Sequence, residues 1–324
     1  MAHRSVEPAE GRIAVLGAAS PAGTHLRAAL ADRGVPGSRV ALFGRARSVA
    51  VLSEYDGEAR LVQAADELDP AACAAVFVCE PGHGDAGLVE AAGSGTLLVD
   101  MTGSIPGAAL AGAPGGDGAA RVVAIPHPVA AMMWSLLAPV HRTAGVTRVA
   151  AFVTRPASDF GEPGLEELRE QTVHLLRFEP TPTEVFGRQL SFNVVPEHLF
   201  PAGEDRAGER IVRELAALIG APGFAIGLSQ ALVPTFFGHG IAAHLTLARP
   251  AREEALAAWA EAPEVRIADD PEIGATLDAP EEEGLLITRV DGQGTDLRIW
   301  ALGSESGPAA AGAAIAAGAA AGVL

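Results

Sequence analysis

Arg12-Ile-Ala-Val-Leu-Gly17-Ala-Ala-Ser-Pro-Ala-Gly23-Thr-His-Leu-Arg-Ala-Ala-Leu30 is the stretch on which the reading of this chain turns. Its first five residues form an apolar run of strand length that stops at Gly17. Residues 24–34 carry apolar side chains at helical spacing, with Gly34 where a helix C-cap belongs. A strand, a glycine turn and a helix form the unit that binds a dinucleotide pyrophosphate at a helix N-terminus. Gly17 and Gly23 bracket the turn, but Ser20 holds the central position, where glycine lets backbone and phosphate approach closely. An ordinary strand–helix turn without a ligand is the other reading, and the loop alone leaves both open.

With 324 residues the chain has room for one large or two medium domains. Its hydrophobic share of 49% with 5% aromatics is rich in Ala, Val, Leu and Gly, as in α/β folds. A formal net charge of −17 argues against nucleic acid or an anionic membrane surface as a partner. Cys73 and Cys79, the two cysteines, give no disulfide framework and suit a reducing cytoplasm. The first eight residues lack the apolar core of a signal peptide. Residues 307–324, nearly all Ala and Gly, read as a packed terminal helix and not as a membrane span.

Val40-Ala-Leu-Phe-Gly44 is a second strand, followed by Arg45-Ala-Arg-Ser48 with no acid for a ribose hydroxyl. Arg45, Arg47 and Ser48 therefore suit a 2′-phosphate, unless they are a solvated loop. Strands are expected at 74–79 and 96–100, a helix at 84–93, and loop at 103–118. Cys79 reads as a small core residue. Val122-Val-Ala-Ile-Pro-His-Pro-Val129 runs from a strand into a long apolar helix, 129–144, and prolines are tolerated at such a first turn. This elbow is a favoured place for a nucleophile, yet it carries only His127 and Pro128. A lone His127 there reads as structural or solvated, or else as a base or ligand. Beyond it come a strand at 146–154, a turn-rich loop at 157–164 and a helix at 164–177. The acidic segment 165–171 of that helix reads as a solvated face or a dimer edge. A helix at 206–219 and a strand at 241–248 follow, with short strands and loops to about 302. The second half thus reads as an antiparallel sheet backed by helices. No internal repeat and no Cys/His set spaced for a metal is present.

Taken in order, Gly17–Gly23, Arg45–Ser48, Val99-Asp-Met-Thr102, Ala124-Ile-Pro126, Ser158–Gly161 followed by Leu165–Gln171, Phe192-Asn-Val-Val-Pro196 and Pro234-Thr-Phe-Phe-Gly-His239 resemble aspartate-semialdehyde dehydrogenases over nearly the whole chain. Phe186-Gly-Arg-Gln-Leu-Ser-Phe-Asn193 and Glu209-Arg-Ile-Val-Arg-Glu214 are most similar to the Usg branch, which lacks the catalytic cysteine. The resemblance implies an α/β Rossmann domain at 1–127 for NADP, with NAD possible. It also implies an α+β dimerisation and substrate domain at 128–302, a helix at 303–324 returning to the first domain, and a homodimer. Cofactor positions would be Gly17, Ser20, Ala22, Gly23, Arg45, Arg47 and Ser48.

Family members reductively dephosphorylate an acyl phosphate through a cysteine thioester, with hydride from NADPH and a histidine moving the proton. Carried over position by position, the nucleophile falls on Pro128 and the catalytic glutamine on Arg155. Two substrate arginines fall on Pro106 and Leu232. His239 keeps the acid/base position, Glu214 keeps a glutamate, and Arg210 replaces a lysine with the charge retained. Removing a nucleophile from an intact site costs on the order of 10⁶-fold in turnover. The expectation is a family fold that binds NADP without the parent activity. Two alternatives stand beside it. One is an NADP-dependent oxidoreductase of amino-acid biosynthesis with a relocated mechanism, using Cys79 or His239. The other is a structural subunit that binds no nucleotide.

Overall fold

The computed structural model of the chain describes residues 11–44, 52–80, 82, 86–114, 120–201, 207–220, 225–280, 284–303 and 306–324. The chain divides into two compact units, Met1–His127 with Gly307–Leu324, and Pro128–Ser306.

The first unit runs β1 (Arg12–Leu16), α1 (Pro21–Asp32), β2 (Val40–Gly44), β3 (Leu52–Tyr55), β4 (Glu58–Leu61), β5 (Gln63–Ala64), β6 (Cys73–Val78), α2 (Ala86–Ala92), β7 (Leu97–Asp100), β8 (Ala109–Leu110) and β9 (Val122–Ala124). β3 and β4 form a separate hairpin, and the other strands form one sheet in the order β5-β2-β1-β6-β7-β9-β8. Every pairing in this sheet is parallel. A parallel sheet is buried on both faces, so its strands are continuous apolar runs, and that is why they were legible. Ile13 and Val15 pack with Leu26 and Leu30, whereas Ala14 and Leu16 face the opposite cluster with Phe43 and Val76. The expected loop at 103–118 contributes β8, a two-residue strand too short to leave a period in the sequence.

The second unit runs α3 (Pro128–Ala144), β10 (Val146–Arg155), α4 (Gly161–Leu176), β11 (Val195–Pro196), α5 (Ala207–Ile219), β12 (Ala225–Leu232), β13 (His239–Leu247), α6 (Arg252–Glu261), β14 (Val265–Ile267), β15 (Leu285–Gln293) and β16 (Asp296–Gly303). Its sheet has the order β11-β12-β10-β13-β16-β15-β14. The antiparallel expectation is corrected here, because β10 pairs with β12, and β14 with β15, in parallel. Between β10 and β12 lie α4 and α5, the long crossover that a parallel return requires. α6 was not expected, since its alanines blur the helical period; Trp259 anchors it by donating from Nε1 to the Leu136 carbonyl at 2.8 Å.

Alternation along β10 sends Val149, Ala151 and Val153 into a core with Met133, Leu137, Ile211, Leu215 and Trp259 from the helices. The other face of the same strands presents Ala150 and Phe152, the latter 41% exposed. The last helix, α7 (Ser306–Ala320), belongs to the first unit, where Ala314, Ile315 and Val323 join the cluster of Ile13 and Phe77. Arg39 donates to the Val323 carbonyl at 2.9 Å. No helix among the described residues is long and apolar enough to cross a membrane.

Candidate functional site

Two places hold the residues singled out from the sequence. The first is the β1–α1 turn. Gly17 takes φ +87°, and a Cβ there would meet the Glu80 backbone nitrogen at 2.8 Å, so the turn needs glycine. A Cβ on Gly23 would lie 2.3 Å from the Gly17 carbonyl, which fixes how closely α1 approaches β1. Ser20 is the N-cap of α1: its Oγ accepts from the Gly23 N–H at 3.1 Å and donates to the Cys79 carbonyl at 2.9 Å.

Pro21 has no N–H, so Ala22 supplies the first-turn donor open to an anion. The turn lies at the carboxyl end of β1, flanked by β2 on one side and β6 on the other. That is the switch point of the sheet, where such folds take their ligands. Gly17, Ser20, Ala22 and Gly23 therefore fit a pyrophosphate, with the serine spending its hydroxyl on the protein. Arg45, Arg47 and Ser48 lie outside the described residues.

Cys79 sits in this unit as the core residue expected, buried, with Sγ 3.7 Å from Met101 Sδ. Burial pushes its thiol well above the ordinary range, which disfavours a thiolate nucleophile. His127 is buried, which corrects the solvated reading.

The second place is the end of β10. Arg155 closes the strand, a single turn Ala157–Phe160 follows, and α4 begins at Gly161, three residues earlier than the sequence indicated. The turn is pinned by backbone bonds from Ala157 N–H to the Thr235 carbonyl (2.9 Å) and from Ser158 N–H to the Phe236 carbonyl (3.0 Å). Residues 235 and 236 lead directly into His239, the first residue of β13. The turn therefore carries Asp159 to His239, whose Nε2 lies 3.1 Å from Oδ1 and 3.2 Å from Oδ2. Arg155 donates from Nε to Asp159 Oδ2 at 2.6 Å, and its guanidinium lies 5.6 Å from the centre of the Phe200 ring.

The side chains of Arg155 and Asp159 are each 4% exposed, and that of His239 is 0% exposed. Burial works to raise the Asp159 pKa, but the charges and hydrogen bonds of His239 and Arg155 outweigh it and hold the carboxyl far below its usual range. Sequence reasoning missed Asp159. Its one signal was an acid four residues after Arg155, a spacing without meaning until the strand ends in a turn.

Pro128 is the first residue of α3 and carries no nucleophilic atom. Gly303, paired with His239 in the sheet, is the close-contact point for this helix: a Cβ there would meet Met132 Sδ at 2.2 Å and His239 Cβ at 3.5 Å. The first turns of α3 thus run beside His239. Of the remaining expected positions, Arg210 and Glu214 bond each other along α5 at 2.6 Å. Leu232, fully buried, belongs to an apolar cluster with Phe186 and Leu190.

The acidic segment of α4 is solvated at Glu166, Arg169 and Glu170, as expected, but not throughout. Glu167 and Gln171 are buried: Glu167 accepts from the N–H groups of Val185 and Phe186, and Gln171 Oε1 from those of Leu190 and Ser191. They organise residues 182–191, a segment too distant along the chain to be anticipated. Among the described residues, no group of three or more His, Cys, Asp or Glu side chains gathers to hold a metal.

Residues 137–303 match the family model of the semialdehyde dehydrogenase dimerisation domain. An aspartate-semialdehyde dehydrogenase of Synechocystis sp. is 26% identical over 316 residues, 92% of this chain and 93% of that relative. A USG-1 protein homolog of Pseudomonas aeruginosa is 25% identical over 249 residues, 74% of each chain. The crystal structure of aspartate semialdehyde dehydrogenase II from Vibrio cholerae superposes with a TM-score of 0.81 at 20% identity, covering 96% of this chain and 98% of that one. The Candida albicans enzyme, solved with NADP, gives 0.70 at 15% identity over 98% and 100%.

Proposed function

The chain belongs to the semialdehyde dehydrogenase family, and on that premise we propose that it is an NADP-binding homodimer that does not run the thioester route of acyl-phosphate reduction. One observation carries the reading: beside His239, α3 opens with Pro128 where the resemblance places the nucleophile, while Asp159 holds the His239 Nε2. A thioester needs a thiolate. Both cysteines of the chain lie in the first unit and are buried.

The β1–α1 turn supports the cofactor, through the Ala22 N–H, the close Gly17–Gly23 approach and the helix end. NADP supplies a hydride or accepts one when bound. The NADP complex of the Candida albicans relative supports the choice of cofactor. The matched dimerisation domain supports the homodimer, as does the open sheet face bearing Ala150, Phe152, His244 and Arg298.

A second reading rests on the same corner. A histidine oriented by a buried carboxylate is the arrangement that makes a general acid, so His239 could protonate an oxyanion formed by direct hydride transfer.

The test is to titrate purified protein with NADPH and assay it with β-aspartyl phosphate against an authentic aspartate-semialdehyde dehydrogenase. The expected outcome is saturable NADPH binding with no acyl-phosphate reduction. Turnover near that of the authentic enzyme overturns the proposal. Absence of NADPH binding moves the reading to a structural subunit, and NADPH oxidation by simple aldehydes or ketones moves it to the acid-catalysed one.

A further inference from the structure

Among the described residues, five buried side-chain nitrogen or oxygen atoms have no hydrogen-bond partner, and three of them belong to Gln230 and Thr235. Gln230 is 2% exposed, and neither its Nε2 nor its Oε1 is bonded. Thr235 Oγ1 is likewise buried and unbonded. An amide taken out of water without a partner loses its full hydration, so native proteins keep such groups rarely and for a reason.

The placement of these groups supplies one. On β12, Gln230 pairs with Val153, and Leu232 with Arg155, so Gln230 lies on the helix-covered face one step along from Arg155. On the far side of β10, Thr154 pairs with Gly240, which puts His239 beside Arg155 on that same face. Thr235 receives the Ala157 N–H, two residues from Asp159. Gln230 therefore neighbours Arg155 on the face of the triad, between the apolar clusters around Val153 and Leu232, and Thr235 belongs to the segment whose backbone holds the turn that carries Asp159.

We propose that Gln230 and Thr235 form, next to this triad, a recognition site for a neutral group carrying a hydrogen-bond donor and acceptor side by side: a carboxamide on a small molecule. The amide of Gln230 is self-complementary to such a group, its N–H meeting a carbonyl and its carbonyl an N–H. The flanking positions on its face are Leu228, Val153 and Leu232, all apolar, and the Arg155 Nε is committed to Asp159. A carboxylate would bring two acceptors to an amide that presents one donor and one acceptor side by side. This assignment deepens the proposed function by naming a substrate class for the same corner, and so rests on that reading.

The experiment is ligand-observed NMR on the whole protein with propionamide, using propionate as the charged control. Gln230→Leu and Thr235→Val serve as variants, with thermal melting of each. The wild type is expected to bind propionamide in preference to propionate. Gln230→Leu is expected to weaken propionamide about tenfold or more, and Thr235→Val by less. Gln230→Leu should also melt no lower than the wild type, because it removes an unpaired amide. Equal binding of the two probes, or propionamide binding untouched by Gln230→Leu, overturns the proposal and leaves ordered water as the occupant. A clearly lowered melting temperature in Gln230→Leu overturns it too, by showing that the amide is paired in solution. NADPH titration of the wild type reports separately on the cofactor, so loss of that reading and loss of this one are distinguishable.

Discussion

The β1–α1 turn and the β10–α4 turn lie at the carboxyl ends of their strands, yet they differ in what holds them. At the first, the geometry belongs to the backbone: Gly17 and Gly23 permit approaches that any Cβ would block, and the Ser20 hydroxyl bonds only backbone groups, the Gly23 N–H and the Cys79 carbonyl. At the second, the geometry belongs to charged side chains, with Asp159 clasped between Arg155 and His239 in a dry interior. A backbone cradle tolerates drift in its side chains, and a charge-built corner does not.

The comparison breaks most visibly at Gly23. Gly23→Val places a side chain against the Gly17 carbonyl and should disrupt the packing of α1 on β1, abolishing NADPH binding along with cooperative unfolding of the first unit. Urea denaturation followed with a titration checks both. A well-folded valine variant would show that the cradle is not backbone-limited.

Asp159→Asn should come next, destabilising the second unit by about 3–5 kcal/mol, because Arg155 is left buried without its counter-charge. Denaturation curves of the variant and the wild type at neutral pH measure the difference.

Acid sharpens the same contrast. The Asp159 pKa is depressed in the folded state, so its contribution is complete above the ordinary carboxylate range and is lost as pH falls from about 4 toward the folded value. The stability advantage of the wild type over Asp159→Asn should therefore begin to shrink as pH is lowered from about 5 to 3 and fall further in stronger acid. A gap that stays constant over this interval would mean that Asp159 is not ionised in the fold.

A smaller effect is expected at Ser20. Removing the cap in Ser20→Ala should cost about 1 kcal/mol, whereas Ser20→Gly should cost a few tenths and tighten NADPH by letting the phosphates approach. Calorimetric titration of both variants distinguishes the cap from the cradle.

The smallest change is expected at Pro128. Pro128→Cys puts a sulfur at the start of α3 but leaves Arg155, bonded to Asp159, at the position carried over for the catalytic glutamine, so acyl-phosphate reduction should stay at background. Measurable turnover would show that the thiol alone was missing.

The two regions were also unequally legible. β1, Gly17 and α1 could be read because apolar run, turn and helical period all lie within twenty residues of one another, as could β2, β6, β7 and α3. His239 and Arg155 were found only as positions carried over by resemblance. Asp159, Glu167, Gln171 and Gln230 escaped, since each is a polar residue whose meaning depends on what the fold brings against it. Glu167 and Gln171 look like a solvated acidic face until residues 182–191 are laid over them.

The sequence by itself determined the parallel sheet of the first unit, the glycine turn, the proline at position 128 and the family likeness. Local steric demands and apolar periodicity are written into neighbouring residues and need no fold to be read. The tertiary structure decided the parallel return of β12, the burial of Glu167 and Gln171 and the Arg155–Asp159–His239 triad. Each of these depends on which distant segments share a dry interior, where a charge must find its partner, and chain order does not state that.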